Sequence, residues 1–408
     1  LPIGLGKLYH LQTLRIYGML PKGFTELANL RHLCSDLIMP IPVGLGMLTS
    51  LQTLPAIDLD NHSWGGRASE LGNLLNLTGV LELMGLRDAG IIEELKKVKL
   101  GTKEKIEKLT LCFNSHFNED EEDVNHVMML EALQPHSNLG ALEIKSYQSK
   151  ALPKWMMEMM GHQDTPLQNL VSLSIQRCPL LEQLPSMKNL SALKVLKIGD
   201  CNRATCLQNL EYLTSLQRLD LDSCYEMENL PDIRSLVCLE ELRIEECIKM
   251  TCLPVGLSNL PNLETLGISG LSPTISSFPF PDIDHLSPLS TSLRELHMDA
   301  SAMDKVENLP SQIQHLRELR SLEICFFKNL KELPEWLGKL TSLERLELVG
   351  LPLVKHLPSQ AAMECLSQLM ALNVSYCPLL EKACRTPNGS EWAKIQKVHH
   401  VRFFEGFF

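Results

Sequence analysis

The cysteines have the clearest capacity for chemistry, because the chain contains 13 of them and four recur at equal spacing. Cys178, Cys201, Cys224 and Cys247 lie 23 residues apart. Such thiols could bind a metal ion or carry out redox chemistry. No CxxC motif occurs, however, and thiols at this spacing fall on parallel strands and not around a tetrahedral ion. A small apolar side chain with a weak S–H donor suits a packed turn, so we predict that these cysteines belong to the core.

Other motifs of this kind are incomplete. The segments GLGK (Gly4–Lys7) and LGKLTS (Leu337–Ser342) lack the GxxxxGK[ST] order of a phosphate-binding loop. The acidic run at residues 119–123 lacks the alternating ligands and the glycine of a calcium loop. The pair His399 and His400 has no cysteine nearby. We therefore predict no catalytic, cofactor-binding or metal-binding residues, no cofactor and no enzymatic activity.

A recurring sequence phrase, LxxLxL, predicts the secondary structure that would position these residues. The last position of the phrase also accepts Ile, Val or Met. The phrase begins at Leu11, Ile106, Leu139, Leu170, Leu193, Leu216, Leu239, Leu263, Leu293, Leu319, Leu343 and Leu369. From Leu170 onward the steps are 23 three times and then 24, 30, 26, 24 and 26 residues. This is the period of leucine-rich repeats.

Within each phrase, the alternation predicts a short strand with its leucines inward, and such units must stack to bury them. The predicted fold is an α/β solenoid: a leucine-rich-repeat horseshoe of about 15 repeats with a parallel β-sheet on its concave face. Leu-Pro pairs such as Leu333-Pro334 predict a loop-rich convex face, because proline removes a backbone donor. We predict a single domain over residues 1–408, with irregular repeats at 1–138, regular repeats at 139–376 and a C-terminal cap at 377–408.

Two segments depart from the repeat. Residues 58–70 (DLDNHSWGGRASE) form a polar insertion, and residues 271–290 are rich in proline and serine. The second composition suits a projecting loop. Either segment could serve in recognition, or could be a tolerated insertion.

Composition restricts the partners. The formal net charge is −11, from 38 basic and 49 acidic residues, which argues against nucleic acid as a partner. Hydrophobic stretches are too short to span a membrane. The odd number of cysteines, lying inside repeats, favours a reducing compartment, and so a cytoplasmic location with the nucleus as a second one. Because the first residues resemble the second half of a repeat, we expect the chain to be part of a longer protein.

One block indicates a family. Residues 129–155 read MLEALQPHSNLGALEIKSYQSKALPKW. They resemble the pattern LEALQPHxNLxxLxIxxYxGxxxPxW in the repeat domain of plant intracellular immune receptors, of the coiled-coil, nucleotide-binding, leucine-rich-repeat class. Residues that match include Leu130, Glu131, Tyr147 and Trp155, whereas Ser149 replaces the glycine of the pattern.

Two further segments are similar to this family. They are SELGNLLNLTGVLELMGL at residues 69–86 and the closing segment CPLLEKACRTPNGSEWAKIQKVHHVRF at residues 377–403. The resemblance implies a recognition and autoinhibition module, which senses a pathogen- or pest-derived effector or a host protein that the effector alters. It also implies a parent protein with a coiled coil and an ADP/ATP-binding switch, whose motifs are absent from these residues.

The outward positions in and after each phrase are predicted to form the binding face. An acidic middle section and two aromatic side chains suit a basic protein partner, or the nucleotide-binding domain of the same parent. A solvated surface that binds nothing is the alternative. The candidate residues are Asp200, Arg218, Asp220, Asp222, Glu241, Arg243, Glu245, Glu246, His297, Asp299, Glu323, Phe326, Arg345 and Tyr376.

Two other functions remain open at this point. One is the substrate-receptor arm of an F-box ubiquitin ligase, which predicts a tighter cysteine-rich period. The other is a cell-surface receptor ectodomain, which would favour an asparagine ladder and a GxIP phrase in most repeats. The LEALQPH block argues against the first, and neither feature of the second is seen.

Overall fold

The computed structural model describes residues 5–18, 20, 23–60, 65–87, 89–113, 124–157, 167–387 and 389–404. Its contacts divide the chain into two compact units, Leu1–Ala204 and Thr205–Phe408. We describe each unit separately. The acidic run at 119–123 and Trp64 in the first insertion lie outside the described residues.

Unit 1 consists of short strands joined by turns of 3-10 helix and a few short α-helices. Its strands are β1 (Thr13–Ile16), β2 (His32–Ser35), β3 (Met39–Pro40), β4 (Ile57–Asp58), β5 (Gly79–Leu86), β6 (Ile106–Phe113), β7 (Ala141–Lys145), β8 (Ser172–Gln176) and β9 (Val195–Gly199). Its α-helices are α1 (Ile92–Val98), α2 (Val124–Ala132) and α3 (Lys154–Met157). The 3-10 segments are Leu5–Lys7, Phe24–Glu26, Leu45–Met47, Ala68–Asn73, Ala89–Ile91, Leu100–Thr102 and Met187–Asn189.

The strands of unit 1 pair in chain order and in parallel. Strands β3 to β9 form one sheet, in which each strand pairs with the next. Strands β1 and β2 form a separate parallel pair. The pairing of β5 with β6 shifts register between Gly79 and Val80 and between Leu83 and Leu86. This irregularity falls in the part where the repeat steps vary most.

Unit 2 has the same organisation with more uniform strands. They are β10 (Arg218–Asp222), β11 (Glu241–Glu245), β12 (Thr265–Ile268), β13 (Glu295–Asp299), β14 (Ser321–Cys325), β15 (Arg345–Val349), β16 (Ala371–Ser375) and β17 (His400–Phe404). The α-helices are α4 (Leu289–Ser292), α5 (Gln360–Cys365), α6 (Pro378–Arg385) and α7 (Ser390–Ile395). The 3-10 segments are Leu210–Tyr212, Leu257–Asn259, Ser311–His315 and Glu335–Lys339.

Each strand of unit 2 pairs in parallel with the next one along the chain. The leucines of the phrase align from strand to strand, as in the pairs Leu219↔Leu242 and Leu322↔Leu346. The prediction of a leucine-rich-repeat solenoid with a parallel sheet is therefore confirmed.

The inward leucines form the core of each unit. Leu219, Leu242, Leu322 and Leu346 are completely buried. Burying one such side chain contributes roughly 1.5–3 kcal/mol relative to leaving it exposed. A strand can bury its leucines only against the neighbouring repeats, so stacking and strand formation depend on each other.

The four regularly spaced cysteines lie in this core, as predicted. Cys178, Cys201, Cys224 and Cys247 are fully buried. Each thiol lies within hydrogen-bond distance of the carbonyl oxygen two residues before it, at 3.3 Å for Cys178 and 3.5 Å for the other three. The weak S–H donor thus satisfies a carbonyl at the end of each strand.

Each strand is connected to the next by a segment that runs back across the repeat, and we call these connections the return segments. Proline and asparagine residues determine their structure. Pro310 and Pro334 directly precede the 3-10 segments Ser311–His315 and Glu335–Lys339, because their fixed φ suits the first turn and their missing N–H is not needed there. Asparagine side chains then join successive repeats: the Nδ2 of each donates to a backbone carbonyl of the preceding repeat. These asparagines are Asn29, Asn76, Asn138, Asn169 and Asn262.

Residues 271–288 form a loop without helix or strand, as predicted, but much of this loop packs against the core and does not project. Ile275, Phe278 and Ile283 are buried, and the Phe278 ring centroid lies 5.3 Å from that of Phe327. The insertion packs because its apolar residues, irregularly spaced between the prolines, reach the core of the adjoining repeats. Only parts of it, such as Leu286, are exposed.

Candidate functional site

Alternate side chains of strands β10 to β15 point away from the core of unit 2, and we call this surface the open face. The leucines occupy the inward positions, so the residues between them face outward. The candidate residues of unit 2 lie on these strands or directly after a strand, and all are half-buried or exposed. Asp200 directly follows β9 in unit 1 and is also exposed.

Two arginines organise the charges on β10 and β11. Arg218 donates to Asp220 at 3.1 Å and to Glu241 at 2.6 Å. Arg243 donates to the same Glu241 oxygen at 2.6 Å and lies 3.9 Å from Glu245. We call these five residues the arginine network. Its geometry depends on the strand register, which places Arg218 opposite Glu241 and Asp220 opposite Arg243.

The network changes the electrostatics expected for this region. The Glu241 carboxylate, through its hydrogen bond, raises the pKa of Arg243 above the ordinary value. Much of the acidic charge predicted from sequence is therefore neutralised locally. Asp222 and Glu246 are not members of the network and are exposed. They supply the accessible negative charge beside it.

A row of left-handed residues follows the strands, which sequence reasoning missed. The residue directly after a strand has φ between 50° and 65° in most of the regular repeats. In unit 1 these residues are Ser146, Arg177 and Asp200, and in unit 2 they are Ser223, Glu246, Phe326, Gly350 and Tyr376. Gly270, with φ 57°, follows the end of β12 by two residues and belongs to the same row. The candidate residues Asp200, Glu246, Phe326 and Tyr376 all belong to this row. The sequence signal was the glycine seven residues after the first leucine in two repeats, Gly270 and Gly350.

Two side chains of this row, those of Glu246 and Phe326, lie over a glycine of the next repeat. A Cβ atom placed on Gly350 would lie 2.8 Å from Cε1 of Phe326, and one placed on Gly270 would lie 2.6 Å from Cδ of Glu246. Glycine is required at both positions, because the preceding side chain occupies the space. One side of the Phe326 ring thus packs against Gly350, and the side chain remains 38% exposed. Tyr376 is 45% exposed.

Further along the open face, an imidazole, a carboxylate and a thiol lie close together on β13 and β14. His297 Nδ1 lies 2.9 Å from Glu323 Oε2, and the Cys325 Sγ lies 3.3 Å from Glu323 Oε1. The hydrogen bond with Glu323 raises the pKa of His297, and the same bond lowers the pKa of Glu323. Burial raises the pKa of Cys325, which is only 4% exposed despite its outward position.

A shallow depression of about 240 Å³ adjoins this cluster. Its lining includes Arg243, Glu245, Thr265, Gly267, His297 and Glu323. It exists because Gly267 presents no side chain between the arginine network and the histidine. The depression could accept a side chain from a partner.

The final candidate strand carries a smaller polar group. Arg345 lies 3.9 Å from Glu347, and Asn373 donates to the same Glu347 oxygen at 3.0 Å. Asn373 lies within β16, and its side chain is part of this interaction.

The block at residues 129–155 has a structural role in unit 1. The Trp155 indole donates to the Leu130 carbonyl at 3.1 Å, and the Tyr147 hydroxyl donates to the Ala151 carbonyl at 2.6 Å. The Tyr147 and Phe113 rings pack edge to face at 5.0 Å. Large buried aromatic groups with satisfied polar atoms fix helix α2 against the repeat that follows it.

Comparisons with known proteins agree with this placement. The family model described as R13L1/DRL21 LRRs matches residues 68–201, which contain the block. The chain is 33% identical to disease resistance protein RGA2 of Solanum bulbocastanum over 156 residues, 38% of the chain and 15% of the relative. It is 27% identical to putative disease resistance protein RGA1 of the same species over 306 residues, 72% of the chain and 28% of the relative.

The chain is a leucine-rich-repeat protein, and it is similar in sequence to plant disease resistance proteins. It spans less than a third of the length of these two relatives. A solved leucine-rich-repeat protein of Leptospira interrogans shares the fold, with a TM-score of 0.56, 21% identity and coverage of 100% of this chain and 92% of that one. Among the described residues of the chain, no helix combines the length and apolar character that a membrane span requires.

Proposed function

We propose that this repeat domain is the recognition and autoinhibition module of a plant immune receptor. It would sense a pathogen- or pest-derived effector, or a host protein that the effector modifies, and so trigger defence. In the resting state it would contact the nucleotide-binding domain of its own parent protein, an ADP/ATP switch. We propose a cytoplasmic location, with the nucleus as a second one.

The observation that carries this proposal is the composition of the open face in unit 2. Its charged side chains are held in place by one another, as Arg218 and Arg243 share Glu241. Side chains that are already ordered lose less conformational entropy when a partner binds. The arginine network therefore supports a specific, preorganised contact better than isolated flexible charges would.

Charge and aromatic groups favour a basic protein surface as the partner. Asp222 and Glu246 present exposed carboxylates beside the network, and Phe326 and Tyr376 present exposed rings. Complementary charge directs association, whereas aromatic side chains commonly provide most of the binding energy. Both kinds of group occur on the same unit.

The first experiment reverses the accessible charge without breaking the network. Asp222→Lys and Glu246→Lys, introduced together into the full-length receptor, should weaken effector binding or release autoinhibition, which a binding assay and a cell-death assay would detect. Glu211→Lys is the matched control, because Glu211 is exposed in the return segment Leu210–Tyr212 and not on the open face. Unchanged binding together with unchanged autoinhibition in the double variant would refute the proposal.

The second experiment removes the rings. Phe326→Ser and Tyr376→Ser should each reduce partner binding by about fivefold or more if they act as anchors, corresponding to a loss above about 1 kcal/mol. Tyr225→Ser is the control, because Tyr225 is similarly exposed, at 39%, but does not belong to the left-handed row. An equal effect of all three substitutions would show that the rings have no special role.

A further inference from the structure

A nitrogen, an oxygen and a sulfur ligand atom meet on the open face. Ligand atoms of His297, Glu323 and Cys325 all lie within 4.8 Å of one another. Within the described part of the chain, no other three histidine, cysteine or carboxylate side chains bring their ligand atoms this close together. None of the four regularly spaced cysteines takes part.

The backbone fixes this arrangement. His297 on β13 and Glu323 on β14 are register partners, so their side chains leave adjacent strands at the same level. Cys325 lies two residues beyond Glu323 and therefore points to the same side of the strand. Rigid strands position such a site better than loops do.

We propose that His297, Glu323 and Cys325 form a binding site for a single zinc ion, with the fourth coordination position open to solvent. Imidazole nitrogen, carboxylate oxygen and thiolate sulfur are the three ligand types that zinc uses in proteins, in tetrahedral geometry. A thiolate disfavours Mg²⁺ and Ca²⁺, which prefer oxygen ligands. The depression beside His297 and Glu323 gives the ion a path from solvent.

The surrounding charge favours a cation. Asp299 is the register partner of Cys325 on β13, and Glu347 is the register partner of Glu323 on β15. Burial raises the pKa of Cys325, and the carboxylates of Glu323, Asp299 and Glu347 raise it further. These negative charges, which oppose formation of a thiolate in the free protein, would be offset by a bound divalent ion.

Binding exchanges protons for the metal. In the free protein Glu323 accepts hydrogen bonds from His297 and Cys325, which hold the three groups together. When zinc binds, the Cys325 thiol releases its proton to solvent and the sulfur takes up the metal–ligand bond, while His297 binds as neutral imidazole. Zinc affinity should therefore rise with pH.

A second histidine–carboxylate pair in the same unit supplies a matched control. His356 Nδ1 lies 3.2 Å from Glu391. That carboxylate already accepts hydrogen bonds from Lys394 at 2.9 and 3.1 Å and from the Leu357 amide at 2.8 Å. A lysine ammonium occupies the place where a cation would bind, so we expect no zinc at this pair.

The test measures zinc binding to the complete chain by titration calorimetry, in a background that lacks the exposed thiols. The background replaces by serine the exposed cysteines Cys206, Cys238, Cys252 and Cys365. It should bind one zinc ion per chain. Removal of a group that only supports a metal ligand typically weakens binding by about 10- to 100-fold. Because they remove ligands themselves, His297→Gln, Glu323→Gln and Cys325→Ser should each weaken binding by at least about 100-fold. His356→Gln should leave the affinity unchanged.

Two further measurements separate ligation from an indirect effect. Cobalt(II) bound to the background chain should show a thiolate-to-metal charge-transfer absorption that is absent in Cys325→Ser and retained in His356→Gln. Circular dichroism should show that all four variants remain folded. Failure of the background chain to bind zinc, or equal affinities in all variants, would overturn the proposal. The result does not depend on the proposed function, because it is measured on this chain without any partner.

Discussion

Single residues in the left-handed row combine backbone strain with exposure. A residue other than glycine in this conformation costs roughly 1–2 kcal/mol. Phe326 and Tyr376 adopt it at φ 55° and 54°, and both present a ring to solvent. The neighbouring strands impose the turn, so the side chain at this position is held in a fixed direction. Strained, exposed residues of this kind are candidates for recognition.

Gly350 should be among the least replaceable residues of unit 2. Gly350→Ala should lower the free energy of unfolding by about 1–3 kcal/mol, because φ is 65° and the new Cβ would clash with the Phe326 ring. Urea denaturation would measure the change. In a Phe326→Ser background the loss should fall to about 1 kcal/mol, the cost of the backbone conformation alone. Gly18→Ala is the control, since no atom lies within 4 Å of a Cβ placed there.

His297 should make stability depend on pH. Because Glu323 raises the pKa of His297 above 6.5, the ion pair stabilises the folded state fully below about pH 6.5. The stabilisation is lost as the pH rises through the higher pKa of the folded protein. Asp299 and Glu245 also face this imidazole and raise its pKa, whereas burial lowers it.

The corresponding experiment compares the wild type with His297→Gln in a metal chelator. The wild type should be more stable by a few tenths of a kcal/mol near pH 6, because both partners are about one-third exposed and solvent screens the pair. This advantage should decrease as the pH is raised above 6.5 and through the raised pKa of His297 in the folded protein. An advantage that is constant across this range would contradict the assigned ion pair.

At the scale of elements, the strands could be predicted because each depends on local alternation. Leu219 and Leu221 face inward wherever the phrase occurs, and their period of two is visible in the sequence. The arginine network could not be predicted in the same way. It depends on which residue of β11 lies opposite Arg218, and register is a property of the assembled sheet. The composition of residues 271–290 correctly predicted a loop, but it did not predict that three of the loop's apolar side chains pack into the core.

The asparagine contacts between repeats give a test at this scale. Asn262→Ala should remove the 2.7 Å hydrogen bond to the Val237 carbonyl and lower the free energy of unfolding by about 0.5–1.5 kcal/mol. Urea denaturation of the purified domain would measure the loss. Asn229→Ala is the control, since Asn229 is exposed in a return segment and outside this set. Equal losses in the two variants would show that the contact contributes nothing specific.

For the whole chain, the resemblance and the candidate site occupy different parts of the sequence. The matched family model ends at residue 201, and every candidate residue except Asp200 lies beyond it. The matched block, with Tyr147 and Trp155, supports helix packing in unit 1. The similarity therefore identifies the scaffold, whereas the proposed recognition depends on residues that this match does not include.

The C-terminal segment covers the last repeat of unit 2. Strand β17 pairs with β16, and helices α6 and α7 bury Leu380, Cys384 and Ile395. Two buried carboxylates fix the segment. Glu381 accepts from the Cys377 amide at 3.0 Å, and Glu391 accepts from the Leu357 amide at 2.8 Å. Terminal repeats need such a cover because an uncovered strand exposes unpaired backbone groups and apolar side chains.

A chain truncated after Tyr376 should therefore associate with itself. Removal of β17 leaves β16 as an open edge, which can pair with the same edge of a second molecule. Light scattering coupled to size-exclusion chromatography should show dimers or larger species, and the urea midpoint should fall. Asn373→Lys in the truncated chain should restore the monomer without restoring the urea midpoint, because a lysine on an edge strand opposes pairing but does not replace the lost core. A truncated chain that remains monomeric with an unchanged midpoint would show that the segment does not act as a cap.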